Sequence, residues 1–509
     1  MQTRTFIGWS AALCLGASLL QAQETNSVQR LQQQLKQLQE DFEKAQQEQR
    51  RRIEALQQQI EALRMAQPQA ATSAPPAKAA QKAAPGAVPP LAPSAAAPVA
   101  PAEPKPPWSP TAPITLFGGQ RNYVNLSFDA LFSAGASTAD DIGSLQLGGH
   151  DPVQRGFTAQ NLETVFIGNV DPFLRGQASL VGHICADGDF HFEAEEAYLE
   201  SLSLPWNLQL RAGQFLTEFG RNNPTHPHTW NFVDAPLVNG RLMGAEGLRN
   251  PGARLSWLAP TPFYSELLFT VQDSLGGTAH SFRGAGGGGH HHDGEEHPSL
   301  FGRELIDRRT KTLGDMLYVG RYAASFDLSD TQTLLAGASA ATGPNNSGPD
   351  TTTQIYGLDL FWKWKPLAHH GGFPFVSWQT EAMMRRYQAG AFAEDVDGDG
   401  VLDIDLPRET LWDYGLYSEV AWGVKKGWVA AFRGDYVFPA KRAAYESILG
   451  PDADRASRWR ISPNLTYYPS EFSKIRLQYN FDHRNGLGDD HSVWLQFEFL
   501  LGTHAAHKF

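Results

Sequence analysis

Two stretches of this chain set metal-ligand residue types close together. Asp395, Asp397, Asp399, Val401 and Asp403 follow the first nine positions of a calcium loop. Oxygens recur at every second residue around a Gly turn, with the Val401 carbonyl as a further ligand. Leu406 stands where a bidentate Glu would complete the set, so the expectation is a weak Ca2+ site, set against a merely solvated acidic loop. The run 286–297, GGGGHHHDGEEH, groups His290, His291, His292 and His297 with three acids. Neutral imidazoles at that density suit Zn2+, and the glycines would keep the site loose. The alternative is a solvated polar loop. No cofactor is required; Ca2+ and Zn2+ are expected only in these loops.

A second set of residues carries charge at alternate positions. Arg433, Arg458, Arg460 and Arg476 fall on three successive strand-like segments, and Glu381, Asp413 and Glu419 on the two before them. Arg211 occupies the same kind of position earlier. If these side chains line a water-filled lumen, basic groups opposite acidic ones would set a transverse field that orients solutes. The bland alternative is polar lining that only keeps the interior wet. Between strands, the stretch from Gly220 to Pro260 is rich in Pro and holds Arg221, His226, His228, Asp234 and Arg241. Such a loop either folds inward as a constriction or packs outside on its neighbours.

The elements that would position these groups are strands. Ile475, Leu477, Tyr479 and Phe481 alternate with Arg476, Gln478, Asn480 and Asp482. Val493, Leu495, Phe497, Phe499 and Leu501 alternate with Ser492, Trp494, Gln496 and Glu498. A period of two with one apolar face marks a strand wetted on one side only. In the strand starting near Phe190 the register slips at Glu195–Glu196, which predicts a bulge. Counting such segments predicts an all-β transmembrane barrel of about 16 antiparallel strands, with starts near Tyr123, Phe157, Leu174, Phe190, Leu208, Ala253, Tyr264, Leu317, Thr331, Thr353, Phe375, Leu411, Trp428, Arg458, Ile475 and Ser492. Short joins (Asp171-Pro172, Leu204-Pro205, Ser329-Asp330) alternate with long ones, the asymmetry of outer-membrane barrels. A sandwich or propeller would alternate too, but without alternating loop lengths and, for a propeller, with a repeat period.

The chain has 509 residues and a net charge of −12, with the acid excess after residue 108. That charge argues against nucleic acid as a partner. Residues 1–22 read as a secretory signal peptide, 27–66 as a periplasmic α-helical coiled coil with one stutter, 67–116 as a Pro/Ala-rich linker, and 117–509 as the barrel. Removal of the signal would leave Cys185 alone, so no internal disulfide is expected. No nucleophile elbow, zinc-protease helix or phosphate loop occurs, and nothing before the first strand could form a receptor plug. The expectation is a non-enzymatic outer-membrane protein of a Gram-negative bacterium, with its N-terminal region in the periplasm. Its contacts would be membrane lipid, lipopolysaccharide and small solutes or ions.

Leu210-Arg211-Ala212-Gly213-Gln214-Phe215 followed by Phe219-Gly220, on a strand after a signal and coiled coil, resembles the phosphate-selective porins of the O and P type. Pro224-Thr225-His226-Pro227-His228 and Gly247-Leu248 resemble a branch of that superfamily some of whose members are labelled zinc-regulated outer-membrane receptors. The resemblance implies a sixteen-stranded, trimeric channel for small anions. No lysine cluster matches, so no ligand residue is carried over. The expected function is a porin-like channel for passive diffusion. The alternative is a metal-binding uptake or tethering protein without channel activity.

Overall fold

The computed structural model describes residues 113–118, 122–185, 188–284, 299–395 and 399–502. The expected signal peptide, coiled coil and most of the linker lie outside the described residues, as do Asp397, His290, His291, His292 and His297.

Sixteen strands alternate in direction: β1 Tyr123–Ser137, β2 Gly156–Asn169, β3 Leu174–Ile184, β4 Phe190–Ser201, β5 Leu208–Leu216, β6 Arg249–Leu258, β7 Tyr264–Gln272 and β8 Leu317–Ser329. They continue as β9 Gln332–Pro344, β10 Thr352–Trp364, β11 Phe375–Ala389, β12 Glu409–Lys425, β13 Trp428–Pro439, β14 Arg458–Ser470, β15 Ser473–Arg484 and β16 Gly488–Leu501. Each pairs antiparallel with the next, and β16 returns to β1 from Phe128↔Leu501 to Ser137↔Ser492. The barrel is therefore closed. Past the end of β16, the strand Ile114–Gly118 pairs with Tyr123–Leu126 and occupies the vacated edge.

Closure satisfies every ladder group internally, the condition that hydrocarbon imposes on a spanning sheet. The side chains obey the same condition. On β12, Leu416, Val420 and Trp422 are exposed outward while Asp413, Tyr417 and Glu419 are buried inward. On β16, Val493, Phe497 and Phe499 point out, and Trp494, Gln496 and Glu498 point in. Aromatic pairs sit near both ends of the wall, Trp428 with Tyr467 (4.7 Å between centroids) at one and Trp459 with Phe481 (5.1 Å) at the other. These are the girdle positions of membrane barrels. No helix among the described residues is long and apolar enough to cross a membrane.

Within the sixteen described strands and away from the hairpin turns, two bulges interrupt the alternation. In β4, Ser179 faces Glu196 and Leu180 faces Ala194, so Glu195 is the extra residue. In β2, Leu131 faces Asn161 and Phe132 faces Ala159, which makes Gln160 the extra one. Each bulge turns two successive side chains inward: Glu195 with Glu196, and Gln160 with Asn161, all buried.

The interior is not empty. Residues 217–248, between β5 and β6, fold into the lumen. Phe219, Leu237, Val238, Leu242 and Met243 of this segment form an apolar core with Val319, Ile355, Met383, Tyr417 and Val437 of the wall. The helix Leu237–Met243 starts after Pro236 and stops at Gly244, whose φ of +98° ends it and brings it against the His280 Cβ.

Candidate functional site

The inserted segment is tied at its root and along its length. Asn223 closes the root, donating from Nδ2 to the Thr217 and Leu248 carbonyls (2.8 and 3.1 Å) and accepting from the Leu248 N–H (2.9 Å). Gly220, at φ +62°, lets the backbone pass the wall, where a Cβ would meet Glu381 Oε2 at 2.0 Å. Beside it, Gly220 N–H donates to Ser339 (3.0 Å) and Asn222 N–H to Glu381 (2.7 Å).

Farther along, the segment meets β15 and β2. Arg476 donates to the Trp230 and Phe232 carbonyls (2.8 and 3.0 Å), and Gln478 accepts from the Val233 N–H (2.8 Å). Gln160, on its bulge, holds the Val233 carbonyl from the β2 side (2.9 Å). Asp234 is fully buried. It accepts from Arg433 (2.6 Å) and Gln478 (3.1 Å) on one oxygen, and from Arg460 (3.1 Å) and Asn480 (2.5 Å) on the other. The two guanidiniums hold its carboxyl below the usual carboxylate range against the opposing effect of burial, which is the largest single influence. Asp151, in the loop before β2, takes N–H bonds from Gly148 (2.9 Å) and Ala235 (2.8 Å) and so clips that loop to the segment.

The residues singled out by alternation fall as follows. Arg433, Arg458, Arg460, Arg476, Glu381, Asp413 and Glu419 all turn inward and are buried. They pair with immediate neighbours rather than across an open lumen. Arg433 contacts Asp435 (2.8 Å) on its own strand, and Arg458 and Arg460 share Asp482 (2.7 and 2.9 Å) on the next. Asp413 accepts from Arg385 (2.7 Å) and Arg455 (2.8 Å), Glu419 from Asn231 (2.9 Å), and Glu381 also from Tyr417 (2.6 Å). Some of these ion pairs close within or between adjacent strands, while Arg433 and Arg460 also reach Asp234 of the inserted segment and Arg455 reaches Asp413 from a loop. Arg211, half-buried, binds Glu200 (2.8 Å) and Glu218 (3.2 Å) and lies 4.4 Å above the Tyr198 ring.

Of the loop residues, Arg221 donates to Gln379 (2.8 Å) and stacks on Phe361 (3.9 Å), and burial lowers its pKa. Arg241 donates to the Arg455 carbonyl (2.9 Å). His226 and His228 stack with centroids 5.7 Å apart and face carboxylates of β1, β2 and β4. Burial is the largest single influence and would lower both imidazoles, but the nearby carboxylates together outweigh it and raise both above their ordinary value. In the acidic loop, Asp395 accepts from the N–H groups of Asp399 (3.2 Å) and Gly400 (2.8 Å), and the Asp403 N–H reaches the Glu394 carbonyl (2.9 Å). The Asp399 carboxylate accepts from Val401 N–H (2.7 Å).

Between the segment and the β10–β14 wall remains a cavity of about 540 Å³, lined by Arg221, Trp230, Phe361, Lys363, Glu419 and Arg433 among others. Its lining mixes both charges with aromatic faces, which suits a small polar solute. Sequence reasoning placed Asp482 on the polar face of its strand without a role, and passed over Asp435, Arg385, Arg455, Asp129 and Glu163. The period-two pattern on each strand marks all but Arg455 as inward, but gives no partner. Glu195 and Glu196 were visible only as a slip in register.

No family model matches the chain. It is 30% identical over 385 residues to an uncharacterized protein of Aquifex aeolicus (strain VF5), covering 71% of this chain and 73% of that one. Among solved structures, it is similar to the outer membrane channel DcaP of Acinetobacter baumannii (TM-score 0.47, 12% identity, 75% of this chain and 98% of that one). It is also similar to the anion-selective porin from Comamonas acidovorans (TM-score 0.43, 9% identity, 75% and 100%). A third likeness is to Pseudomonas putida OprB (TM-score 0.43, 9% identity, 74% and 94%).

Proposed function

This chain belongs to the same family as the Aquifex aeolicus protein, and from its closed, apolar-sided wall around a polar interior we propose that it is a porin-like channel in the outer membrane of a Gram-negative bacterium. It would pass small hydrophilic solutes or ions by passive diffusion. The observation that carries this reading is the segment 217–248, rooted between β5 and β6 and bonded to the far part of the same wall at Glu381 of β11 and Arg476 of β15. A segment so placed narrows a pore without sealing its ends, and the cavity beside it leaves room for a solute. The short-turn end would face the periplasm, as short turns do in such barrels. On that arrangement both chain ends emerge there, the N-terminal region included. Lipid and lipopolysaccharide would surround the wall, and a homotrimer is the assembly we propose.

Reconstitution in a planar bilayer tests the reading. Discrete single-channel steps are expected, with conductance at least twofold larger when residues 221–246 are replaced by a short Gly/Ser link. The alternative is a tether without conductance. A folded protein silent in the bilayer both before and after that replacement would establish the tether instead.

A further inference from the structure

Where the segment meets β1, β2 and β4, two imidazoles face a group of buried carboxylates. His226 Nδ1 lies 3.2 Å from Glu163 Oε1 and 2.9 Å from Glu195 Oε2. His228 Nδ1 lies 3.2 Å from the other oxygen of Glu163 and 3.6 Å from Asp129 Oδ2. These residues form two triads, Glu163–Glu195–His226 and Asp129–Glu163–His228, each with one ligand atom per residue within 4.8 Å of the others. Glu163 belongs to both, with a different oxygen toward each imidazole.

We propose that this cluster is a carboxylate-bridged site for two divalent first-row transition-metal ions, shared through Glu163, which staples the inserted segment to the wall.

Four observations carry the proposal. The separations are those of a coordination sphere: donors bound at about 2.1 Å to one ion stand roughly 2.9–3.4 Å apart in octahedral or tetrahedral geometry. The donor set, imidazole nitrogen with carboxylate oxygen, suits Zn2+, Mn2+ or Co2+ better than Ca2+ or Mg2+. A supporting carboxylate is already present, because His226 Nε2 bonds Glu196 Oε2 at 3.1 Å and thereby directs Nδ1 at the triad. The β4 bulge is what turns Glu195 and Glu196 to the same side for these two roles. Finally, Asp129 is 2% exposed and its Oδ1 finds no hydrogen-bond partner, although Asn161 Nδ2 reaches the other oxygen at 3.4 Å. Asp129, Glu163, Glu195 and Glu196 are all under 5% exposed, and such a density of buried negative charge calls for cations. The cations at hand are shared: Arg249 contacts Glu195 at 3.7 Å but also Glu193 (2.9 Å) and Glu246 (3.5 Å), and Lys474 pairs with Glu498. A cavity of about 50 Å³ beside Glu195 and Thr225 gives a small ion an approach.

The test uses full-length protein in detergent, with His290, His291, His292, His297, His504 and His507 changed to Ser so that histidines outside the cluster do not contribute. The protein is stripped with chelator, loaded with Zn2+ or Co2+, desalted in the presence of excess Mg2+ and Ca2+, and its metal counted by mass spectrometry. About two equivalents per chain are expected, with Co2+ giving visible d–d absorption. His226→Asn and His228→Asn should each lose one equivalent, and Glu163→Gln at least half of the total. Folding of each variant is checked by heat-modifiable migration, and segment docking by protease resistance, which loading should raise in the parent and not in Glu163→Gln. Retention of less than half an equivalent by the folded parent overturns the site. Retention unchanged by Glu163→Gln overturns it as well. A single equivalent lost equally in both His variants would replace the bridged pair with one shared ion and overturn the pair.

Discussion

Arg433 of β13 and Asp234 of the inserted segment are joined twice, through Nη2 to Oδ1 at 2.6 Å and through Nη1 to the Asp234 backbone carbonyl at 2.9 Å. Both side chains are almost inaccessible to water. The pair fixes the depth of the segment and its rotation at once, because one guanidinium binds both side chain and main chain. Arg460 and Asn480 complete the carboxylate from the neighbouring wall.

Removing the charge while keeping the shape should therefore release the segment. Asp234→Asn leaves Arg433 and Arg460 buried with less compensation, and breaking such a pair costs about 3 kcal/mol. Urea unfolding in detergent should show a loss of that order, and single-channel recordings should show larger or noisier conductance. Wild-type behaviour in both measurements would remove the pair from the mechanism that holds the segment.

Gly220→Ala acts on geometry instead of charge. A methyl group there would lie 2.0 Å from Glu381 Oε2, on a backbone of φ +62°. The expected outcome is displacement of the segment's first turn, with a stability loss of about 1–2 kcal/mol and faster proteolysis near Asn222. Equal protease half-lives for variant and parent would contradict it.

The pH dependence turns on Asp151. Burial, with Asp234 nearby, pushes its carboxyl up to about 7. The folded barrel then keeps a proton that the unfolded chain has lost, from about pH 4 to about pH 7. Because the folded state binds the extra proton, this group's contribution favours folding at the acid side of the window and is lost as the pH rises through it. Unfolding free energies at pH 5 and 8 should differ less in Asp151→Asn than in the parent; an equal difference would assign the slope elsewhere.

The outer wall is tested by Leu358→Arg. Leu358 stands at the middle of β10 and is 66% exposed on the outward face. A cation at the midplane of a lipid-facing wall costs about 2–4 kcal/mol. The penalty should appear in bilayers or detergent as reduced unfolding stability, whereas Gly434→Ala, on the same outward face with open space and no added charge, should show little change.

Much of the wall was legible before any coordinates. The period of two fixes which face meets lipid, and the starts of β1, β3, β5, β13 and β14 fall at the expected residues, Tyr123, Leu174, Leu208, Trp428 and Arg458. Errors sit where the local chemistry imitates a turn. β6 begins at Arg249 rather than near Ala253, because Asn250, Pro251 and Gly252 read as loop although they continue the ladder opposite Gln214 and Phe215. β16 begins at Gly488 rather than Ser492 for the same reason, across Gly488-Asp489-Asp490. The ion pairs were not legible. Alternation places Arg460 and Asp482 inward but is silent on the register that makes them neighbours. It is equally silent on the segment, whose docking rests on contacts between residues as distant in sequence as Trp230 and Arg476.

The clasp at Asn223 gives this architecture an order of assembly. Its bonds to Thr217 and Leu248 are local and can form as soon as β5 and β6 exist, whereas the grip of Arg476 and Asn480 waits for the penultimate strand. The docking contacts, from Ser339 of β9 to Asn480 of β15, are thus complete only once the penultimate strand is in place. The expected order is therefore wall closure first, with docking of the loop completed last. Pulsed proteolysis during refolding should accordingly find Trp230 cleavable after the ladder has become heat-modifiable, and a loop protected before that point would reverse the sequence of events.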